Sequence, residues 1–247
     1  MGRRRVNRTV LLPRRAALQA PLPGPSAAPE PEAEPQPATD AGGAQRIGVL
    51  GGTFDPPHVG HLWLATLAAD ALQLDRVLFM PAGQPPHKRG QRITPATDRL
   101  LMTRLAISGN DAFELCPIEL ERPGPSFTVD SIADLQRLYP AGELLLLMAA
   151  DSLAQIDTWR EPERLLAMLE WAVAPRPGSS MPDRAALRAR FSEAAKRIHL
   201  LDGPALDVSA SEIRRRVAAG QAIRYLVPVA VEELIVERGL YKPEIGA

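Results

Sequence analysis

A single cysteine, Cys116, rules out an internal disulfide. It lies in the apolar run Phe113–Ile118 and reads as a buried strand residue. Net charge is also missing: 29 basic side chains balance 29 acidic ones. No bulk electrostatic case exists for nucleic acid or an anionic membrane. No apolar stretch approaches the ~20 residues of a membrane span. Leu144–Met148 is too short for one and reads as a central strand. Aromatics make up 4% of the chain and histidines number four, so each cluster of either is informative.

Proline is abundant but unevenly spread. Residues 1–44 carry eight of the 25 prolines, and from Pro21 to Gly43 the composition is mostly Pro, Ala, Glu and Gly without an apolar period. A disordered extension over 1–44 is expected, followed by one domain over 45–247. The start, with Arg3, Arg4, Arg5, Arg8, Arg14 and Arg15, is free of acids in the manner of transit peptides. No long apolar run follows, so a secretory signal is not expected. Val6 stands where a myristoylation site needs Ser or Thr. The expectation for this start is a tail without function, or a start codon placed upstream.

Beyond residue 45, apolar runs alternate with amphipathic ones. Strands are expected at 46–50, 76–80, 112–116, 143–148, 171–174 and 197–201. Helices are expected at 59–73, 96–108, 128–138, 161–168, 182–195, 210–219 and 228–238. This alternation predicts an α/β fold, a Rossmann-like, doubly wound, mostly parallel sheet. Such sheets bind ligands at the carboxyl ends of their strands. There is no internal repeat.

The most informative segment runs from Gly51 to His61, between the first strand and the first helix. It reads as a glycine-rich turn at a helix start, where free N–H groups and the positive dipole end favour an anion. His58 and His61, spaced i, i+3, fall on one side of the first helical turn. A tight turn with incidental histidines is the ordinary reading of such a stretch. Two of the four histidines in one turn beside glycines point instead to polyphosphate handling. Neither the dinucleotide fingerprint nor the P-loop pattern fits. A second segment, Val208–Arg214, has Ser209 three residues before Glu212, a capping-box spacing. By itself it reads as a capped helix with a basic face; Arg214 near its start adds a forked phosphate donor.

The pattern G-x-F-x-P-x-H-x-G-H from Gly52 to His61 resembles the signature of the adenylyl- and cytidylyltransferases. Val208–Arg214 is similar to their second signature, I-S-S-T-x-x-R, departing at Val208, Ala210 and Ser211. Four more stretches resemble the bacterial nicotinate-nucleotide adenylyltransferases: Pro81–Lys88, Arg122–Asp130, Ala150–Trp159 and Pro175–Gly178. Each has an ordinary reading alone; their order along the chain carries the resemblance. That family usually has Gly where this chain has Ala149.

The resemblance implies a nucleotidyltransferase fold and transfer of the adenylyl group of ATP to nicotinate mononucleotide, giving deamido-NAD and pyrophosphate. It implies catalytic roles for His58, His61 and Arg214. ATP phosphates would meet Gly52, Thr53, Phe54, Lys88, Ser209 and Ser211. The acceptor would meet Phe127, Thr128, Asp151 and Trp159, with Trp159 on the pyridine ring and Thr128 at its carboxylate. Mg²⁺ would arrive with ATP, with no metal site of the protein's own. Small-molecule substrates, no nucleic acid, no membrane and a cytoplasmic setting are expected; a homo-oligomer is left open. Two alternatives stay open: another acceptor, nicotinamide mononucleotide or pantetheine phosphate, and a non-catalytic ATP-sensing module.

Overall fold

The structure is a computed structural model and describes residues 44–85, 90 and 92–243. All but the last residue of the expected extension lies outside the described residues, as do His87 and Lys88.

Six parallel strands form one sheet in the order β3-β2-β1-β4-β5-β6. They are β1 (Arg46–Gly52), β2 (Arg76–Pro81), β3 (Phe113–Leu115), β4 (Glu143–Ala149), β5 (Glu170–Ala174) and β6 (Ile198–Leu200). The order reverses between β1 and β4, which opens a crevice at their carboxyl ends. β4 shows why the sheet is buried on both faces. Leu144, Leu146 and Met148 pack into one core with Ile47, Val49 and Trp171. Leu145 and Leu147, one residue out of phase, pack into a second core with Leu50, Phe79 and Ala65. A strand apolar on both phases is what a parallel sheet covered by helices requires.

The helices are α1 (Val59–Leu72), α2 (Ala96–Ile107), α3 (Ile118–Glu121), α4 (Thr128–Leu138), α5 (Ala150–Ala154), α6 (Pro162–Met168), α7 (Arg184–Phe191), α8 (Ala210–Ala218) and α9 (Val229–Glu237). Met102 of α2, Ile213 of α8 and Val231, Leu234 and Ile235 of α9 make a third cluster with Ile223 and Val227 of the α8–α9 connection.

Three details differ from the sequence-based expectations. β1 runs on through Gly52, pairing Gly51 with Met80 and Gly52 with Pro81. The glycines therefore end the strand, and the turn proper is Thr53–His58. The helix expected over 182–195 stops at Phe191, because Ser192 turns left-handed (φ 51°) and a 3₁₀ turn, Ser192–Arg197, follows. Cys116 lies one residue past β3, buried as expected, its N–H bonded to Phe79 O at 2.8 Å. Burial pushes its thiol up to about 11, so it is protonated at neutral pH.

Candidate active site

A cavity of about 480 Å³ sits at the carboxyl ends of β1, β2, β4 and β5, within the size range of small-molecule sites. Its lining draws on every segment singled out in the sequence except those outside the described residues. Gly52, Thr53, His58 and His61 come from the first signature, and Ser209 and Ala210 from the second. Phe127 and Thr128 open α4, Asp151 opens α5, and Trp159 follows a 3₁₀ turn at Ile156–Thr158.

The two histidines are arranged by the start of α1. His58 is the N-cap residue in extended conformation, and its N–H donates to Nδ1 of His61 at 3.1 Å. The rings stack at 3.7 Å between centroids. A neutral His61 that accepts at Nδ1 carries its proton on Nε2. His58 is 3% exposed, and its Nδ1 has no hydrogen-bond partner among the described residues. Burial, with the nearby Arg176 charge adding to it, lowers its pKa to about 4. The two imidazoles are therefore not charged together at neutral pH; two stacked cations at this distance would repel.

The amides of α1 are less open than the sequence suggests. Val59 N–H is taken by Leu226 O at 3.0 Å, and His61 N–H by His58 O at 2.9 Å. Phe54, left-handed at φ 48°, is 1% exposed; its ring lies under the end of β1 and edge-on to His61 rather than in the cavity. A side chain at Gly52 would press on that ring, its Cβ 3.0 Å from Cε1.

The second signature docks onto the first. Arg214 donates from Nη1 to the carbonyl of Asp55 at 2.6 Å and from Nη2 to Ser211 Oγ at 3.2 Å. Neither Arg214 nor Ser211 is part of the cavity lining. Ser209 caps α8, its Oγ accepting Glu212 N–H at 3.2 Å. Glu212 does not return the bond; it pairs with Arg215 instead.

On the opposite wall, Asp151 is already engaged. It pairs with Arg176 Nε at 3.2 Å and accepts Ser152 N–H at 2.9 Å. Ala149 has extended backbone (φ −91°, ψ 161°), which any residue adopts, so the methyl at this position costs no strain. Among the described residues, no group of three or more His, Cys, Asp or Glu could hold a metal ion.

Sequence reasoning missed four residues here. Glu119, at the cavity wall and 5% exposed, accepts Ser131 Oγ at 2.7 Å. Burial raises its pKa, against hydrogen bonds from Ser131, Ser126 and Gly83 N–H and the charge of Arg122. Arg160 lies over the Phe127 ring at 4.6 Å and lines the cavity beside Trp159. Arg176 lines the cavity too. Arg99 lies buried behind it. Arg176 lies inside the stretch Pro175–Gly178, where the resemblance implies no role for it, and no local pattern marks the other three; a lone charge in an amphipathic run reads as a solvated face.

The chain is similar to known proteins in sequence and in fold. A family profile described as cytidylyltransferase-like matches residues 49–216. The chain is 49% identical over 197 residues to a protein of Thermomicrobium roseum named probable nicotinate-nucleotide adenylyltransferase, covering 80% of this chain and 92% of that one. A protein of Roseiflexus sp. with the same name is 46% identical over 198 residues, covering 79% and 98%. The solved structure of Plasmodium falciparum nicotinic acid mononucleotide adenylyltransferase complexed with NaAD shares the fold. Its TM-score is 0.67 at 18% identity, covering 80% of this chain and 97% of that one.

Proposed function

The chain belongs to the nicotinate-nucleotide adenylyltransferase family of cytidylyltransferase-like proteins, and from that premise we propose that it transfers the adenylyl group of ATP to nicotinate mononucleotide. The observation that carries the reading is one cavity lined by both signatures and by the buried His58, whose Nδ1 has no hydrogen-bond partner among the described residues.

An oxygen of the acceptor phosphate attacks the α-phosphorus of ATP. The bond from that phosphorus to the oxygen bridging α and β breaks, and pyrophosphate leaves as deamido-NAD forms. Positioning and charge neutralisation dominate such transfers, with little covalent work for the protein. His58 and His61, with the backbone of Thr53 and Phe54, hold the phosphates and the charge that develops on them. Polyphosphate beside His58 favours its protonated form and raises its pKa above about 4. Arg214, Ser209 and Ser211 take the β and γ side; Arg214 must then exchange its bond to Asp55 O or Ser211 for phosphate. ATP enters as its magnesium complex, and the ion is part of the substrate. Lys88 is proposed as a further phosphate contact.

For the acceptor, Trp159 stacks on the pyridine ring, Asp151 holds a ribose hydroxyl, and Thr128 with the first amides of α4 holds the ring carboxylate. The positive end of α4 and the guanidinium of Arg160 both favour an acid over an amide there. The amide leaves a donor facing a donor, at about 1–3 kcal/mol. Residues 45–247 are the proposed catalytic domain, in a cytoplasmic setting. Among the described residues no helix is long and apolar enough to cross a membrane.

Pyrophosphate release from ATP with nicotinate mononucleotide, nicotinamide mononucleotide and pantetheine phosphate tests the reading. The expected result is efficient release with the first and about ten- to hundredfold lower kcat/KM with the second. Equal efficiency on acid and amide would overturn the role of Thr128, and no release with any acceptor would overturn the activity.

A further inference from the structure

Arg99 of α2 is 2% exposed and lines no part of the cavity. Its guanidinium donates to four carbonyls from three separate segments. Nε reaches Thr94 O at 3.0 Å, Nη1 reaches Thr53 O at 2.9 Å and Ala82 O at 2.7 Å, and Nη2 reaches Gly83 O at 3.3 Å. Thr53 begins the turn after β1, and Ala82 and Gly83 form the loop after β2. Both Thr53 and Ala82 line the cavity.

A trans peptide unit holds its C=O and N–H on opposite sides. Thr94 is followed by Pro95, which has no N–H; the other three carbonyls drawn to Arg99 therefore each aim the following N–H the other way. After Ala82, the Gly83 N–H meets Glu119. After Gly83, the Gln84 N–H meets Ser126 Oγ at 3.1 Å. After Thr53, the Phe54 N–H points away from Arg99, and it belongs to the turn read above as the phosphate turn. One planar fork thus sets the tilt of three peptide units: one in the phosphate turn, and two in the loop after β2, which Glu119 and Ser126 hold beside the proposed acceptor residues Phe127 and Thr128.

The cation is held in turn. The charge of Asp55, 3% exposed, favours the cation, and Asp55 itself accepts Tyr241 OH at 2.7 Å and Thr94 N–H at 3.2 Å. Packing alone does not ask for this arrangement, because apolar groups of similar volume stabilise a helix–sheet contact at least as well as a buried ion. A rigid five-donor fork is what several converging carbonyls ask for, and a lysine ammonium does not reproduce it.

We propose that Arg99 is a positioning residue that fixes the phosphate turn after β1 and the acceptor loop after β2 in one mutual geometry, acting through their carbonyls. The proposal rests on the adenylyltransferase reading. Arg99→Lys keeps the charge and loses the fork; Arg99→Gln keeps a donor and loses the charge. Melting temperature, kcat, KM for ATP, KM for nicotinate mononucleotide and calorimetric ATP affinity are measured for both variants and wild type.

The expected result is a folded Arg99→Lys protein in which KM rises for both substrates and kcat falls about ten- to hundredfold, as for a sub-ångström to ångström misplacement of reacting groups. Arg99→Gln is expected to be worse on every count. A purely structural residue would lower the folded fraction and kcat per total protein while leaving both KM values and the ATP affinity of the folded protein unchanged; that outcome overturns the proposal. Chains unfolded at 25 °C in both variants overturn it as well, since the cation would then hold the core rather than aim the walls. An inactive wild type that still loses ATP affinity in Arg99→Lys would sink the adenylyltransferase reading and keep this one.

Discussion

His61 accepts the N-cap amide of α1 and lines the cavity, so removing it has two consequences of different size. Freeing a helix-cap amide costs about 1 kcal/mol of stability. Losing a contact to developing phosphate charge costs about 10²–10³ in rate. His61→Ala is therefore expected to fold, melt slightly lower and lose turnover by that factor. Near-normal kcat in a folded His61→Ala protein would remove it from the site. His58 gives a pH signature instead. Its pKa lies near 4 in the folded chain, below the ordinary 6.5 of an unfolded histidine. Below pH 6.5 the unfolded chain takes up a proton that the folded chain does not. Stability from this group is thus fully present above pH 6.5 and is lost as pH falls towards 4, by at most about 3 kcal/mol. Urea titrations of wild type and His58→Gln between pH 7 and pH 4.5 should show a steeper loss in wild type. Parallel pH slopes would show that His58 is not buried neutral.

Elements with several turns or a full apolar strand were legible in the sequence because burial repeats along them. β4 shows it on both phases of Leu144–Met148, and α4 begins and ends where expected, with Val129, Ile132 and Leu135 facing the core. The single-turn units α3 and α5 were not legible. Four or five residues hold no period, and tertiary contacts position them. Glu119 of α3 is the example, since its meaning comes from Ser126, Ser131 and Gly83. The site was half legible for the same reason. Motif residues on strand ends and helix starts could be read, whereas Arg99, Glu119, Arg160 and Arg176 matter through partners distant in sequence. Gly83 offers a test at this scale. A Cβ there would collide with the carbonyl oxygen of Glu119 and come within 2.8 Å of Ser126 Oγ. Backbone cannot swing aside as a side chain can, so Gly83→Ala should push the β2–α2 loop off α3. The expected cost is about 1–3 kcal/mol, with KM for the acceptor rising more than KM for ATP. An unchanged melting temperature and unchanged KM for nicotinate mononucleotide would show that the loop has room to spare.

At the scale of the whole chain, folding and binding can be separated by cutting at residue 44. From Pro21 to Gly43 the sequence has no apolar period, while among the described residues the buried core runs from Ile47 to Ile235. A chain of residues 44–247 should therefore melt where the full chain does. Ligand binding supplies the second measurement, because whatever binds only the folded state stabilises it by mass action. ATP or nicotinate mononucleotide at about a hundred times its Kd adds about 2.7 kcal/mol. For a domain of this size that raises the melting temperature by roughly 5–11 °C. The full and shortened chains should show the same rise. A lower starting temperature with the rise retained would place residues 1–43 in the core. The same starting temperature with the rise lost would place them at the nucleotide site, and either result would overturn the assignment of catalysis to residues 45–247 alone.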